Sequence, residues 1–518
     1  MVRLAGAGLV LLALPPSWAA EYDVLIRAAR VIDGSGKPAF AAAVALRGDS
    51  IAAVGVPPSD RGKLEIDAHG LAVAPGFIDI HSHARHGIFR NPAATSYIRQ
   101  GVTTLIEGHD GNSPLPLGPF LDEIAGIQPA VNFGTFAGQG TIRQVVLGLA
   151  NRRATPQEIR KMEGLVEQAM RDGAFGLSTG LLYVPGNYTP TEEIIDLARV
   201  AGRFGGIYIS HIRDEAAGIL DSVRETIRIG EEARLPVQVT HHKIVGRANW
   251  GRSVDTLRLI EQARARGVDV TVDQYPYTAS MTGTSVLLPQ WSLEGGYAVL
   301  ADRLRDPRQR AQLKAVIVER ILTDRGGGDP RNIVLADCPH DPSLNGKDLA
   351  AVTASRGRRV SVENAADIVM DLEQRGGCAA IYHAYDERDV ERILRFPFTM
   401  IASDGEVPVP GRGVPHPRSY GTFARVLGLY VRDRRILTLE EAVRKMTSLP
   451  AWRLGLKDRG LIRPGMKADL VVFDPAAIAD RATFDSPRQY AAGVHHVFVN
   501  GRPVILNGEL TAERPGRV

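Results

Sequence analysis

Five short clusters carry the side chains best suited to chemistry: His81-Ser82-His83, Glu107-Gly108-His109-Asp110-Gly111, His211, His241-His242-Lys243 and Ser403-Asp404-Gly405. Imidazole nitrogens with a carboxylate hold a zinc-like divalent ion while leaving a position for water. Such an ion lowers the pKa of its water from about 15.7 towards about 7, so hydroxide is available at neutral pH. A carboxylate not needed as a ligand, such as Asp404, can take the water's proton and deliver it to a leaving nitrogen. This scheme hydrolyses an amide without a protein nucleophile, and the reading is against a serine hydrolase.

These clusters need a scaffold that brings them to one place. Short apolar runs alternate with helices through the middle of the chain, and the candidate strands are 77–81, 103–106, 130–135, 175–178, 207–210, 237–240, 268–272 and 399–402. Thr155 with Glu158, Thr189 with Glu192 and Thr438 with Glu441 have the spacing of helix-capping boxes. Eight strands separated by helices predict a (β/α)8 TIM barrel, whose chemistry sits at the C-terminal ends of its strands. Four of the eight candidate strands run into a histidine, and His81 and His83 alternate so as to point the same way. At least five of the thirteen histidines thus fall at one face, which packing alone does not account for.

The two ends have a different texture. Strand-like runs and turns occupy residues 21–74 and 451–518, with Asn500-Gly501 and Asn507-Gly508 as hairpin signals, and they predict one small β-sandwich built from both termini. The barrel is expected over 75–450, with an insertion at about 287–377 that is either a lid over the mouth or an embellishment.

Charged residues make up 23% of the chain and the net charge of +4 is dispersed, so no nucleic-acid partner is expected. No run of about 18 apolar residues predicts a membrane span. Residues 1–20 read as a signal peptide: Arg3, the apolar run Leu4 to Leu14, then Pro15-Pro16 and Ser17-Trp18-Ala19. A periplasmic or secreted protein, free of the membrane after cleavage, is the expectation. Cys338 and Cys378 read as two buried free thiols in preference to a disulfide.

Longer motifs extend the pattern. They include Ala74-Pro75-Gly76-Phe77-Ile78-Asp79-Ile80-His81-Ser82-His83, Gly176-Leu177-Ser178-Thr179-Gly180-Leu181-Leu182-Tyr183 and Ser210-His211-Ile212-Arg213-Asp214-Glu215. Further along stand Asp273-Gln274-Tyr275-Pro276-Tyr277, His416-Pro417-Arg418 and Gly465-Met466-Lys467-Ala468-Asp469-Leu470. In these the chain resembles the amidohydrolase superfamily, and within it the N-acyl-D-amino-acid deacylases. The resemblance implies hydrolysis of N-acyl-D-amino acids, with a dipeptidase or carboxypeptidase as the nearest alternative. It implies a small-molecule substrate and Zn2+, one ion held tightly and a second more weakly. Carried over by position, His211 and His241 match tight metal ligands, and His81 and His83 match the weaker pair. Asp404 matches the general acid/base, and Lys243, Tyr183, Tyr275 and Arg418 match groups that bind the substrate's α-carboxylate.

Three positions depart from the family pattern. Asp110 stands where the family has a cysteine ligand, with His109 as the alternative donor. Arg85 replaces an expected acidic residue. Three extra residues precede Arg418, which leaves Arg412 as a competing anchor.

Overall fold

The computed structural model describes residues 21–518; the expected leader at 1–20 lies outside the described residues. Eight parallel strands form the barrel: Phe77–Asp79, Val102–Glu107, Asn132–Thr135 with its continuation Ala137–Gly138, Gly176–Gly180, Ile207–His211, Val237–Val239, Val270–Gln274 and Thr399–Ile401. The third strand breaks at Phe136, whose N–H donates to Glu107 O, and so belongs to two sheet segments. The ring closes between its eighth and first strands through Asp404 N–H to His81 O at 2.8 Å and His83 N–H to Gly405 O at 2.7 Å. Closure therefore runs through the backbone of three candidate site residues.

Ile78, Ile80, Ile106, Phe136, Ile209 and Met400 come from five strands and pack together inside the ring. The surrounding helices each turn an apolar stripe inward at three- and four-residue spacing, as in Met162, Val166 and Ala169 or Ile194, Leu197 and Ala201. Thr155 and Glu158 form the expected reciprocal cap, and Thr438 accepts from Glu441 N at 3.1 Å. Thr189 does not cap: Pro190 holds that position with its φ of −66°, and the Thr189 hydroxyl accepts instead from Gln139 Nε2 at 3.0 Å.

Both ends of the chain enter one nine-stranded sheet. Leu470–Phe473 pairs antiparallel with Ala72–Pro75, which joins the two halves. Its continuous apolar run is explained by burial on both faces. Leu470 and Val472 enter the core of the sheet domain, while Val471 and Phe473 pack against the barrel layer. The strand Glu21–Val31 forks the sheet, pairing first with Arg61–Asp67 and then with Ala72–Val73. Both Asn-Gly turns form with left-handed φ at each residue: Asn500 46° and Gly501 77°, Asn507 52° and Gly508 81°.

The segment between the seventh and eighth strands has a hydrophobic core of its own and a three-stranded antiparallel sheet. That sheet begins earlier and ends later than 287–377, because Ala279–Gly283 and Ala379–His383 are its strands on either side, with Ile333–Asp337 as the third. Ala279-Ser280-Met281-Thr282-Gly283 is too small and polar to stand out as a strand from its residues alone. Here the expectation of free thiols is overturned. Cys338 follows one strand and Cys378 precedes its antiparallel neighbour, so pairing of Asp337 with Ala379 sets the two sulfurs opposite each other in a disulfide. Among the described residues no helix is long and apolar enough to cross a membrane.

Candidate active site

Asp110 lies at the centre of the barrel mouth. Its Oδ1 is 3.8 Å from His81 Nε2, 3.6 Å from His211 Nδ1 and 3.4 Å from His241 Nε2, and its Oδ2 is 3.6 Å from His83 Nε2. Two overlapping donor groups result, His81–His83–Asp110–Asp404 and Asp110–His211–His241, each with its ligand atoms within 4.8 Å of one another. Both nitrogens of His81, both of His211 and Asp110 Oδ1 are buried without a hydrogen bond of normal geometry. Buried polar atoms in such numbers are rare unless another partner satisfies them. Imidazole and carboxylate donors converging in this way fit a divalent metal ion.

The strands place these groups through their terminal turns. Asp110, His241 and Asp404 all have positive φ, at 56°, 36° and 51°. Residues with side chains occupy that region at a cost of about 1–3 kcal/mol each, and such outliers concentrate at functional sites. Gly108 makes the Asp110 turn feasible: its φ is 81°, and a Cβ there would lie 2.4 Å from Phe136 O. Asp273 fixes the next strand end, accepting from His241 N at 2.7 Å and lying 3.3 Å from His81 Nδ1.

Charge in the site is balanced pairwise. Burial alone raises the Asp404 carboxyl, but the Arg418 guanidinium, His81 and the His83 hydrogen bond outweigh it and hold it well below the usual carboxylate range. Asp404 is thereby held in its carboxylate form at neutral pH. Burial depresses His81, yet Asp273 and Asp404 more than reverse this and raise it to about 9, so the surrounding field favours positive charge. His241 is lowered to about 4 by burial and by Lys243.

A cavity of about 460 Å³ opens over this cluster, and Leu182, Tyr183, Met281, Thr282 and Arg325 are among its lining residues. Lys243 and Arg418 border it, with Tyr275 between them, 5.6 Å from the Lys243 ammonium and 4.8 Å from the Arg418 guanidinium. Tyr183 OH is 3.1 Å from Thr282 Oγ1. All ten residues singled out from the sequence thus fall in or beside one mouth. Arg418 spends one of its donors on Asp404, at 2.7 Å.

The alternative residues occupy other positions. His109 stacks on His81 at 3.9 Å and packs against Phe136, outside both donor groups. Arg412 pairs with Asp337 on an exposed edge. Arg85 lies 3.3 Å from the buried Glu107, whose charge it neutralises. His242 turns away from its neighbour, to Thr256 Oγ1 at 2.8 Å. Gly176-Leu177-Ser178-Thr179-Gly180 has the spelling of a nucleophile elbow, but Ser178 is buried within a strand with its hydroxyl on Gly108 O, so it is no exposed nucleophile.

Two residues of the site had no role assigned from sequence. Glu215 reaches Lys243 at 2.5 Å, and Arg325, from the inserted segment, comes within 3.6 Å of Glu215. The spacing of Glu215 four residues after His211 was a usable signal; nothing local marks Arg325.

Known proteins resemble this chain in sequence and in fold. The amidohydrolase family model matches residues 64–505. A D-aminoacylase of Alcaligenes xylosoxydans xylosoxydans is 40% identical, the match covering 96% of this chain and 97% of that protein. An N-acyl-D-aspartate deacylase of the same organism is 38% identical, over 96% and 95% of the two chains. A solved D-aminoacylase superposes with a TM-score of 0.82 at 39% identity, covering 96% of this chain and 99% of the other. An N-acyl-D-glutamate deacylase from Bordetella bronchiseptica, solved with zinc and a phosphonate inhibitor, gives 0.83 at 34% identity with the same coverage. The chain belongs to the amidohydrolase family, in the branch of the D-aminoacylases and N-acyl-D-amino-acid deacylases.

Proposed function

We propose that the protein hydrolyses the amide bond of N-acyl-D-amino acids, using zinc held by Asp110, His211 and His241, with His81 and His83 offering a second, weaker position. The observation that carries this reading is the convergence of four imidazoles and two carboxylates at and beneath the floor of one cavity, with cationic side chains at its wall. The bound ion supplies an acidified water and a polarised carbonyl. Asp404 takes the proton from the attacking water and returns it to the leaving nitrogen, so one water is consumed and a carboxylate and a free amine form. Lys243, Arg418, Tyr183 and Tyr275 hold the α-carboxylate of the substrate, where a planar guanidinium and phenolic donors give directional recognition. The D-configuration is supported by the named relatives. A panel of N-acetyl-D-amino acids, their L-enantiomers and dipeptides tests it; turnover confined to the L-series or to dipeptides would refute it.

Export is part of the same reading. The leader-like residues 1–20 and the Cys338–Cys378 disulfide both suit an oxidising compartment. Determining the mature N-terminus of the protein from its native host tests this, and a retained Met1 would count against it.

A further inference from the structure

One carboxylate stands behind both histidines assigned to tight metal binding. His211 directs Nδ1 towards Asp110 and Nε2 towards Glu215 Oε2, at 3.7 Å. His241 directs Nε2 towards Asp110 and Nδ1 towards Glu215 Oε1, at 3.4 Å. Glu215 is 3% exposed, and its Oε2 has no hydrogen bond of its own. For each ring to offer a lone pair on the Asp110 side, its single proton has to sit on the far nitrogen. Each far N–H then needs an acceptor, and Glu215 faces both.

Lys243 sharpens the requirement. Its Nζ is 2.7 Å from His241 Nδ1. If that nitrogen accepted a hydrogen bond from the ammonium, the ring's N–H would point at Asp110 and the lone pair would be lost to the metal. Glu215 at 2.5 Å and His241 O at 2.9 Å take two of the three ammonium donors, so Nδ1 donates to Glu215 once the third is turned away from the ring. Holding a buried carboxylate in this place requires compensating charge. Lys243 supplies it from the barrel. Arg325, 6% exposed, supplies it from the inserted segment.

We propose that Glu215 is a positioning residue that fixes the ring orientation and tautomer of His211 and His241, and that Arg325 ties the insertion to this task. The proposal rests on the Asp110–His211–His241 metal reading above. A carboxylate behind a ligand histidine is worth about 10- to 100-fold in metal affinity. A glutamine could accept from one ring only, and its amide would turn a donor towards the other.

The test is zinc affinity of the metal-free protein, measured by competition with a chromophoric chelator, for wild type and Glu215→Gln. The double variant Glu215→Gln/Arg325→Met, which leaves no new unpaired arginine, guards against misfolding of the single one. Both variants should bind zinc about 10- to 100-fold more weakly, with their activity recovering as zinc is raised. Affinity within about threefold of wild type in folded variants would overturn the role of Glu215 alone. Failure of the wild type to bind zinc would overturn this proposal together with the metal centre beneath it.

Discussion

Asp404 is gripped from two sides: its Oδ2 accepts a 2.7 Å hydrogen bond from Arg418 Nη1, and its Oδ1 lies 3.0 Å from His83 Nε2. An arginine assigned to the substrate's carboxylate therefore also steadies the proton carrier. Asp404→Asn keeps the shape and removes the basic oxygen. We expect kcat to fall by about 10²- to 10⁴-fold with the tight-site metal retained. Steady-state kinetics and metal analysis of the same preparation check this, and substantial residual turnover would contradict the assignment.

Asp110 is the one donor common to both groups of possible ligands. Asp110→Ala should abolish tight metal binding. Asp110→Cys restores a charged donor but a softer one, and should shift preference towards zinc and cadmium over manganese. Because Asp110 has φ of 56°, a conformation aspartate tolerates better than most residues, the cysteine variant should also melt a few degrees lower. Metal competition and thermal denaturation read the two effects separately.

Glu373 gives the inserted segment a pH dependence. Burial raises its carboxyl from the ordinary 4.5 to about 7, opposed by hydrogen bonds from Thr284 and Tyr297. Between these values the folded chain keeps a proton that the unfolded chain has lost. Stability from this group is therefore full below pH 4.5 and declines as pH rises to about 7. Melting curves at pH 5 and pH 7.5 should differ by less in Glu373→Gln than in wild type; an unchanged difference would refute the assignment.

The Cys338–Cys378 disulfide closes a loop with a sequence separation of 40. By loop-closure entropy it stabilises the segment by about 4 kcal/mol. Replacing both cysteines by serine should lower the melting temperature and raise hydrogen exchange in 333–383 first. Uniform exchange across barrel and insertion would show that the segment does not unfold on its own.

The barrel could be read in advance because its strands are short apolar runs and its chemistry sits at their ends. His81, His211, His241 and Asp404 each follow such a run. The inserted sheet was only partly legible. Ala279–Gly283 has no apolar periodicity, and its strand character comes from pairing with Ala379–His383, a neighbour remote in sequence. The disulfide escaped for the same reason, since it depends on that register. Arg325 could not be found from its surroundings in sequence, because its value lies in meeting Glu215 across the fold.

The sheet shared by the two ends sets an order on biosynthesis. Ala72–Pro75 waits for Leu470–Phe473 until the whole barrel has left the ribosome. The third barrel strand waits longer still, for Phe133 N–H donates to Arg517 O at 2.8 Å and Gly516 N–H to Pro129 O at 2.9 Å. Until Leu470–Phe473 arrives, the apolar strand Ala72–Pro75 has that edge unpaired, a natural handle for holdase chaperones. Residues 516–517 thus fasten a barrel strand made far earlier in synthesis.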